Sequence, residues 1–228
     1  MSWALVPAAG LGRRFGGELP KQYLDVAGKP LIAHALEALL SHPGVEGAVV
    51  ALAAGDPFWP GWTRWHGKPV VTCTGGGERA DSVRAALRAL PDACDDRTLL
   101  LVHDAARPNL RASDIDRLLD AARRHADGAI LAAPVRDTLK RSDGERNIAA
   151  TEPREALWRA LTPQAFTRGL LSHALDRAQA DGVVATDEAM AVEHLGRRPR
   201  LVEGREDNLK VTTPADLALA EFLLARIP

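Results

Sequence analysis

Short apolar runs alternate with amphipathic stretches along most of the chain, and this alternation constrains the fold more than any other feature. Trp3 to Val6, Val49 to Ala53, Leu99 to Val102 and Ala129 to Ala133 are apolar at every position. A strand with no polar face must be covered on both sides, which happens when parallel strands are joined by helical crossovers. The helical stretches are there. Leu31 to Leu40 places Leu31, Ala35, Leu36, Leu39 and Leu40 on one side, and Ala80 to Leu90 reads as a second helix. Ser113 stands where it could cap a helix running to Ala126, and Pro214 opens a closing helix from Ala215 to Ala225. The expected fold is α/β: a mostly parallel sheet covered by helices on both faces, in one domain spanning 1–228.

Composition narrows the function classes. With 46% hydrophobic and 26% charged residues, the 228-residue chain can bury a sizeable core. A net charge of -1 leaves no broad basic field, so nucleic acid is not a favoured partner, and cationic groups that matter should sit locally in a pocket. Cys73 and Cys94 have no metal-ligand spacing and read as packing residues in a reducing compartment. The opening Met-Ser-Trp-Ala-Leu-Val-Pro has no basic region before an apolar core, and no apolar run approaches the ~20 residues of a membrane span. A cytoplasmic protein is expected.

Two segments depart from the rhythm. Between Pro134 and Pro163 the chain turns polar, and Ser142-Asp143-Gly144 sits between Asp137-Thr138-Leu139-Lys140 and Asn147-Ile148-Ala149-Ala150-Thr151. A hairpin arm over about 135–160 fits. A lone hairpin is marginal in water, so this one is either a solvated excursion or leans on something, such as a second subunit. Trp59, Trp62 and Trp65 share a loop with Gly55, Pro57, Pro60 and Gly61. They read as a loop packed down by its own aromatics rather than as a platform for a base.

The first strand runs straight into Ala8-Ala9-Gly10-Leu11-Gly12-Arg13-Arg14-Phe15-Gly16-Gly17. In an open α/β sheet, ligands bind beyond the carboxyl ends of the strands, where this loop lies. Its glycines permit close approach of a phosphate, and Arg13, Arg14 and the following Lys21 supply cations. It has neither the Gly-Lys-Ser/Thr ending of a P-loop nor Gly-x-Gly-x-x-Gly spacing, so a glycine-rich turn with solvated arginines is the competing reading. Lysine usage favours a site: the chain has five lysines against 24 arginines. Lys21 and Lys210, retained in polar motifs, point to a need for compact point charges.

These residues, with Pro20-Lys21-Gln22-Tyr23, resemble the opening of the 2-C-methyl-D-erythritol 4-phosphate cytidylyltransferases of the non-mevalonate isoprenoid pathway. The similarity continues through Gly75-Gly76-Gly77-Glu78-Arg79-Ala80-Asp81-Ser82-Val83, Val102-His103-Asp104-Ala105-Ala106-Arg107-Pro108 and Ala132-Ala133-Pro134-Val135-Arg136-Asp137-Thr138. It extends over Leu161-Thr162-Pro163-Gln164, Thr186-Asp187-Glu188 and the closing Val202 to Thr212 block, in order along nearly the whole chain. The resemblance implies a Rossmann-like nucleotidyltransferase fold with a protruding β-arm, a homodimer whose active sites are shared through that arm, CTP as donor, and a divalent cation, usually Mg2+.

By the same resemblance, Arg14, Lys21, Arg154 and Lys210 are the catalytic cations. Arg14 and Lys21 face the triphosphate, Arg154 and Lys210 the acceptor phosphate. Ala8, Ala9, Gly10, Gly12, Gly76, Gly77, Ser82 and Ala105 fall on the nucleotide, and Asp104, Arg107, Thr138, Thr162 and Thr186 around the methylerythritol phosphate. Asp104 is the carboxylate nearest a metal held mainly by phosphates, or else a partner of Arg107. Position 77 is Gly where the family often has a polar residue, so a main-chain contact to the base survives here and a side-chain contact does not. A ribitol 5-phosphate cytidylyltransferase shares most of these motifs, and a catalytically silent CTP-binding regulator is an alternative of another class. His103 reads as structural, because a phosphate dianion needs no general base.

Overall fold

The computed structural model describes residues 2–10 and 19–226. The chain opens with strand β1 (Ser2–Pro7), followed by a single 3-10 turn at Lys21–Tyr23 and a two-residue ribbon of β2 (Asp25–Val26) and β3 (Lys29–Pro30). Then come α1 (Leu31–Leu40), β4 (Ala48–Leu52), β5 (Arg64–Trp65), β6 (Lys68–Thr74), α2 (Arg79–Arg88), β7 (Leu99–Val102), α3 (Ala112–Arg124) and β8 (Ala129–Pro134). A hairpin of β9 (Leu139–Ser142) and β10 (Ile148–Glu152) leads into β11 (Trp158–Thr167), α4 (Arg168–Ala180), α5 (Glu188–His194), β12 (Arg200–Glu203) and α6 (Pro214–Leu224).

Eight strands form one sheet in the order β12-β8-β11-β7-β1-β4-β6-β5. β7, β1, β4 and β6 run parallel, as do β8 and β12, while β11 lies antiparallel between β7 and β8. Period two decides which side chains go where. In β1, Ala4 and Val6 face α1 and α3, where Ile32, Leu36, Leu39, Ile115 and Leu118 complete one core layer. Trp3 and Leu5 face the opposite layer, built with Val83, Leu87, Leu171, Leu175 and Val192 from α2, α4 and α5. Both faces are thus covered, as the uninterrupted apolar strands require.

The sequence readings of α1 and β7 coincide with the structure, and those of β1, β4, β8, α2 and α6 shift by a residue or two at their ends. Thr213 caps α6 and Pro214 opens it. One boundary needs correcting: Arg111, not Ser113, is the N-cap of α3. The first turn starts earlier because Asp114 is drawn into the core and pairs with Arg117 at 2.5 Å, leaving Ser113 exposed inside the helix. The tryptophan loop packs on itself, with Trp59–Trp62 and Trp62–Trp65 ring centroids at 5.2 and 4.7 Å in edge-on contact. The indole N–H of Trp65 donates to Glu37 on α1. Cys73 and Cys94 are free thiols, half-buried and buried.

The β9–β10 hairpin stands apart as its own two-stranded sheet. Its loop closes on Asp143, whose carboxylate accepts from the backbone N–H groups of Glu145 and Asn147. Nearly all of its side chains are exposed, Ile148 at 69%. No helix among the described residues is long and apolar enough to cross a membrane.

Candidate active site

Beyond the carboxyl ends of β1, β6 and β7 lies a cleft of about 180 Å3. Its wall is made by Pro7 at the end of β1 and Ala8 to Gly10 beyond it, Gly76 to Arg79 at the turn into α2, and Asp104 to Ala106 after β7, with Lys21, Gln22, Ser82 and Lys210 completing it. The placement follows from topology, because neighbouring parallel strands release their loops on the same side of the sheet. Side chains are excluded where the loops meet. A Cβ on Gly75 would lie 2.6 Å from the Ala9 Cβ and 2.7 Å from the Ser82 Oγ, whereas one on Gly77 would meet nothing within 4 Å. Ser82, buried in the first turns of α2, accepts from the Gly76 N–H at 3.2 Å, and Gln22 Nε2 donates to the Ala8 carbonyl at 2.7 Å.

The polar wall centres on Asp104. Arg79 Nε lies 3.1 Å from its Oδ1, and Lys210 Nζ lies 3.0 Å and Arg107 Nε 3.5 Å from its Oδ2. Burial alone would raise this carboxyl, but the charges of Arg79, Lys210 and Arg107 outweigh it and hold it well below the usual carboxylate range. Arg79 also pairs with Glu188, which is fully buried at the start of α5. Burial pushes the Glu188 carboxyl up, against the pull of Arg79. Across the cleft, Lys21 Nζ donates to the Val211 carbonyl at 3.3 Å, which brings the first loop's lysine to the closing segment that carries Lys210. Lys21, Arg79 and Lys210 therefore converge on one cleft, an arrangement suited to a multiply charged anion.

His103 lies behind Asp104 and is fully buried, and burial pushes its imidazole down to about 4. Its hydrogen bonds fix its tautomer. Nε2 faces the Arg107 carbonyl at 3.1 Å, which can only accept, so Nε2 carries the proton. Nδ1 then accepts from the Thr162 hydroxyl at 3.0 Å, and that hydroxyl in turn accepts from the Asp104 N–H at 3.1 Å. Both ring nitrogens are committed to holding the Asp104 loop, as the structural reading of His103 expected.

The sequence model of the 2-C-methyl-D-erythritol 4-phosphate cytidylyltransferase family matches residues 2–226. The chain belongs to that family. It is 63% identical over 223 residues to the 2-C-methyl-D-erythritol 4-phosphate cytidylyltransferase of Xanthomonas campestris pv. campestris (strain 8004), a match covering 98% of this chain and 84% of that one. It is 60% identical over 224 residues to that of Stenotrophomonas maltophilia (strain K279a), covering 98% and 97%. The crystal structure of the Thermus thermophilus protein superposes with a TM-score of 0.80 at 37% identity, over 100% of both chains.

Of the residues that the family resemblance singled out, Ala8, Ala9, Gly10, Lys21, Gly76, Gly77, Ser82, Asp104, Ala105 and Lys210 line the cleft. Gly12 and Arg14 lie outside the described residues. Arg107 and Thr162 are buried behind the wall: Arg107 Nη1 donates to the Asn208 carbonyl at 2.7 Å, and Thr162 braces Asp104 as above. Thr138, Arg154 and Thr186 are exposed and off the cleft wall. The Arg154 guanidinium donates to the Arg136 carbonyl near the base of the arm, and the Thr186 hydroxyl contacts the Met190 sulfur at 3.6 Å.

Three residues were not singled out: Gln22, Arg79 and Glu188. Each lay inside a motif block, but Arg79 and Glu188 are 109 residues apart and only the fold joins them.

Two carboxylates, Glu78 and Asp104, line the cleft, and both oxygens of Asp104 are engaged by cations. Among the described residues no group of three or more His, Cys, Asp or Glu is arranged to hold a cation. That number of cleft carboxylates still fits Mg2+, which keeps its waters and takes most of its oxygens from phosphates. Lys210, with 41% of its side chain exposed, has room to leave Asp104 for an incoming anion.

Proposed function

We propose that the chain transfers CMP from CTP to 2-C-methyl-D-erythritol 4-phosphate, releasing pyrophosphate, in the cytoplasmic synthesis of isoprenoid precursors. The observation that carries this reading is the family match over residues 2–226, whose ordered blocks supply the wall of the cationic cleft. An acceptor phosphate oxygen attacks the α-phosphorus of CTP in line. The new P–O bond forms as the bond to the β-phosphate breaks, and pyrophosphate leaves. The attacking oxygen is already anionic near neutral pH, so no side chain need remove a proton. This matches the commitment of both His103 ring nitrogens to the Asp104 loop.

What remains is bringing two anions together and stabilising the charge that develops, which positioned cations accomplish. Lys21, with Arg14 from the same loop, serves the α-phosphoryl group and the leaving pyrophosphate. Ala8, Ala9, Gly76, Gly77, Ser82 and Ala105 hold the nucleoside, mainly through backbone groups. Lys210 serves the acceptor phosphate, and Asp104 the acceptor hydroxyls or the metal. Asp104 is the cleft residue that would hold Mg2+, which when bound would supply neutralisation of phosphate charge.

Arg154 and Thr138 sit on or beside the exposed arm, away from the cleft of their own chain. Their position supports a homodimer in which each arm completes the partner's site. The test is pyrophosphate release from CTP and Mg2+ with 2-C-methyl-D-erythritol 4-phosphate or ribitol 5-phosphate. Release with the first acceptor is expected. Release with ribitol 5-phosphate alone would reassign the acceptor, and CTP binding without release from either would make the chain a silent regulator.

A further inference from the structure

The proposed reaction gives no part to Glu188, yet this carboxylate is fully buried and its one hydrogen-bonding partner among the described residues is Arg79. Its second oxygen, Oε2, and Arg79 Nη2 are both buried without a hydrogen bond. A buried ion pair this sparsely bonded is a poor source of stability, because the desolvation of both charges offsets most of their attraction. Its geometry is more informative. Arg79 is the first residue of α2, two residues after Gly77 on the nucleotide side of the cleft. Glu188 is the first residue of α5, two residues beyond Thr186. Between them the guanidinium is gripped at two points: Nη1 on Glu188, and Nε on Asp104 Oδ1. With Oδ1 engaged, the other oxygen of Asp104 is turned to Lys210.

We infer that Glu188 is a positioning residue that, by holding the Arg79 guanidinium, sets the orientation of Asp104 against Lys210 and thereby the acceptor half of the cleft. The inference rests on the transferase reading above. Without Glu188, Arg79 keeps its charge but loses one of its two fixed points. It can rotate about its remaining contact, and Asp104, ringed by three cations, has no unique orientation. The nucleotide side is braced separately, by Gly76 on Ser82, by the Glu78 N–H on Asp81 and by Gln22 on Ala8.

The test compares wild type, Glu188→Gln, Arg79→Gln and the double variant for CTP affinity by calorimetry and for kcat and acceptor KM by pyrophosphate release. Glu188→Gln keeps the shape and removes the charge. Misplacement of a positioning group by about 1 Å costs up to roughly 100-fold, so kcat over acceptor KM should fall roughly 10- to 100-fold while CTP affinity stays within about twofold. Because Glu188 acts through Arg79, adding Glu188→Gln to Arg79→Gln should cost less than about twofold more. Unchanged acceptor kinetics in the folded Gln variant would overturn the inference. So would a lower melting temperature as its sole effect, a loss confined to CTP binding, or a full additional loss in the double variant. If Glu188→Gln does not fold, Glu188→Asp carries the same comparison, since it keeps the charge but not the reach. Failure of the wild type to release pyrophosphate from this acceptor would instead sink the transferase reading, so the two failures are separable.

Discussion

Gly75 and Gly77 lie two positions apart in one loop, and the structure assigns them opposite tolerances. The Cβ of Gly75→Ala would fall 2.6 Å from the Ala9 Cβ. Carbon atoms rest at about 3.5 to 4 Å, so the two loops must part by on the order of 1 Å. Side-chain rotation gives no relief, because the Ala9 Cβ moves only with its backbone. The Ser82 Oγ, 2.7 Å away on the other side, is tied to the Gly76 N–H. Overpacking of this kind costs about 1 to 3 kcal/mol, which for a chain of this size lowers the melting temperature by about 2 to 12 °C. The displaced loops carry Ala8, Ala9 and Gly76, so CTP affinity and kcat over KM should fall together, the latter by up to roughly 100-fold. Gly77→Ala meets no atom within 4 Å, and Gly77 is not among the glycines with positive φ. It should leave turnover within about twofold and, by restricting the unfolded chain, add about 0.4 to 1 kcal/mol of stability. Thermal melts and steady-state kinetics on the two variants decide the matter. Wild-type stability and turnover in Gly75→Ala, or collapse of CTP binding in Gly77→Ala, would refute the steric argument.

Lys21→Ala should lower kcat by roughly 100-fold or more with little effect on folding; a folded variant with near-normal kcat removes Lys21 from the chemistry. Lys210→Ala should raise the acceptor KM while CTP affinity survives, and the reverse pattern would place Lys210 on the nucleotide. Co-refolding Lys21→Ala with Arg154→Ala should restore about a quarter of wild-type activity, because about half the dimers are mixed and each of those holds one intact shared site. Mixed dimers verified by mass but inactive would show that both residues serve one chain's site. The depressed His103 imidazole binds its proton in the unfolded chain below about pH 6.5 but in the folded chain only near 4. Stability present above pH 6.5 should therefore drain away between 6.5 and 4, by up to about 3 kcal/mol. Denaturant titrations across that window should show a slope that His103→Gln lacks, and kcat should show no inflection from this imidazole between pH 6 and 9.

How much of this was legible in the sequence depends on burial. Strands buried on both faces, such as β4 with Ala48 to Leu52, announce themselves because every position must be apolar. The outer strands do not. β6 is interrupted by Lys68, Pro69 and two threonines because one of its faces reaches solvent, and β12 is exposed at Arg200, Leu201 and Glu203. β11 was hidden for another reason: its first three residues are exposed, and its pairing with β8 shifts register between Ala160 and Gln164. In the site, Asp104 and Lys21 stood out through motifs next to strand ends. Arg79 and Glu188 did not, since an arginine or a glutamate opening a helix is ordinary surface chemistry until the fold buries it. Arg107 and Thr162 lay in the right motifs, but the structure gives them internal partners.

The closing segment sets when the enzyme can exist at all. Arg107 Nη1 finds the Asn208 carbonyl across 101 residues, Asn109 donates to the Asp207 carbonyl, Asn208 reaches back to Thr162, and the Val211 N–H pairs with Ala106. At about 5 to 20 residues per second, the ribosome needs roughly 5 to 20 s to deliver those partners after Arg107 has emerged. Until then Arg107 and Asn109 lack the acceptors that satisfy them when buried, and Lys210 has not been made. A nascent chain therefore carries the donor loops long before it carries a finished acceptor pocket, and competence waits on the segment from Asp207 to Val211.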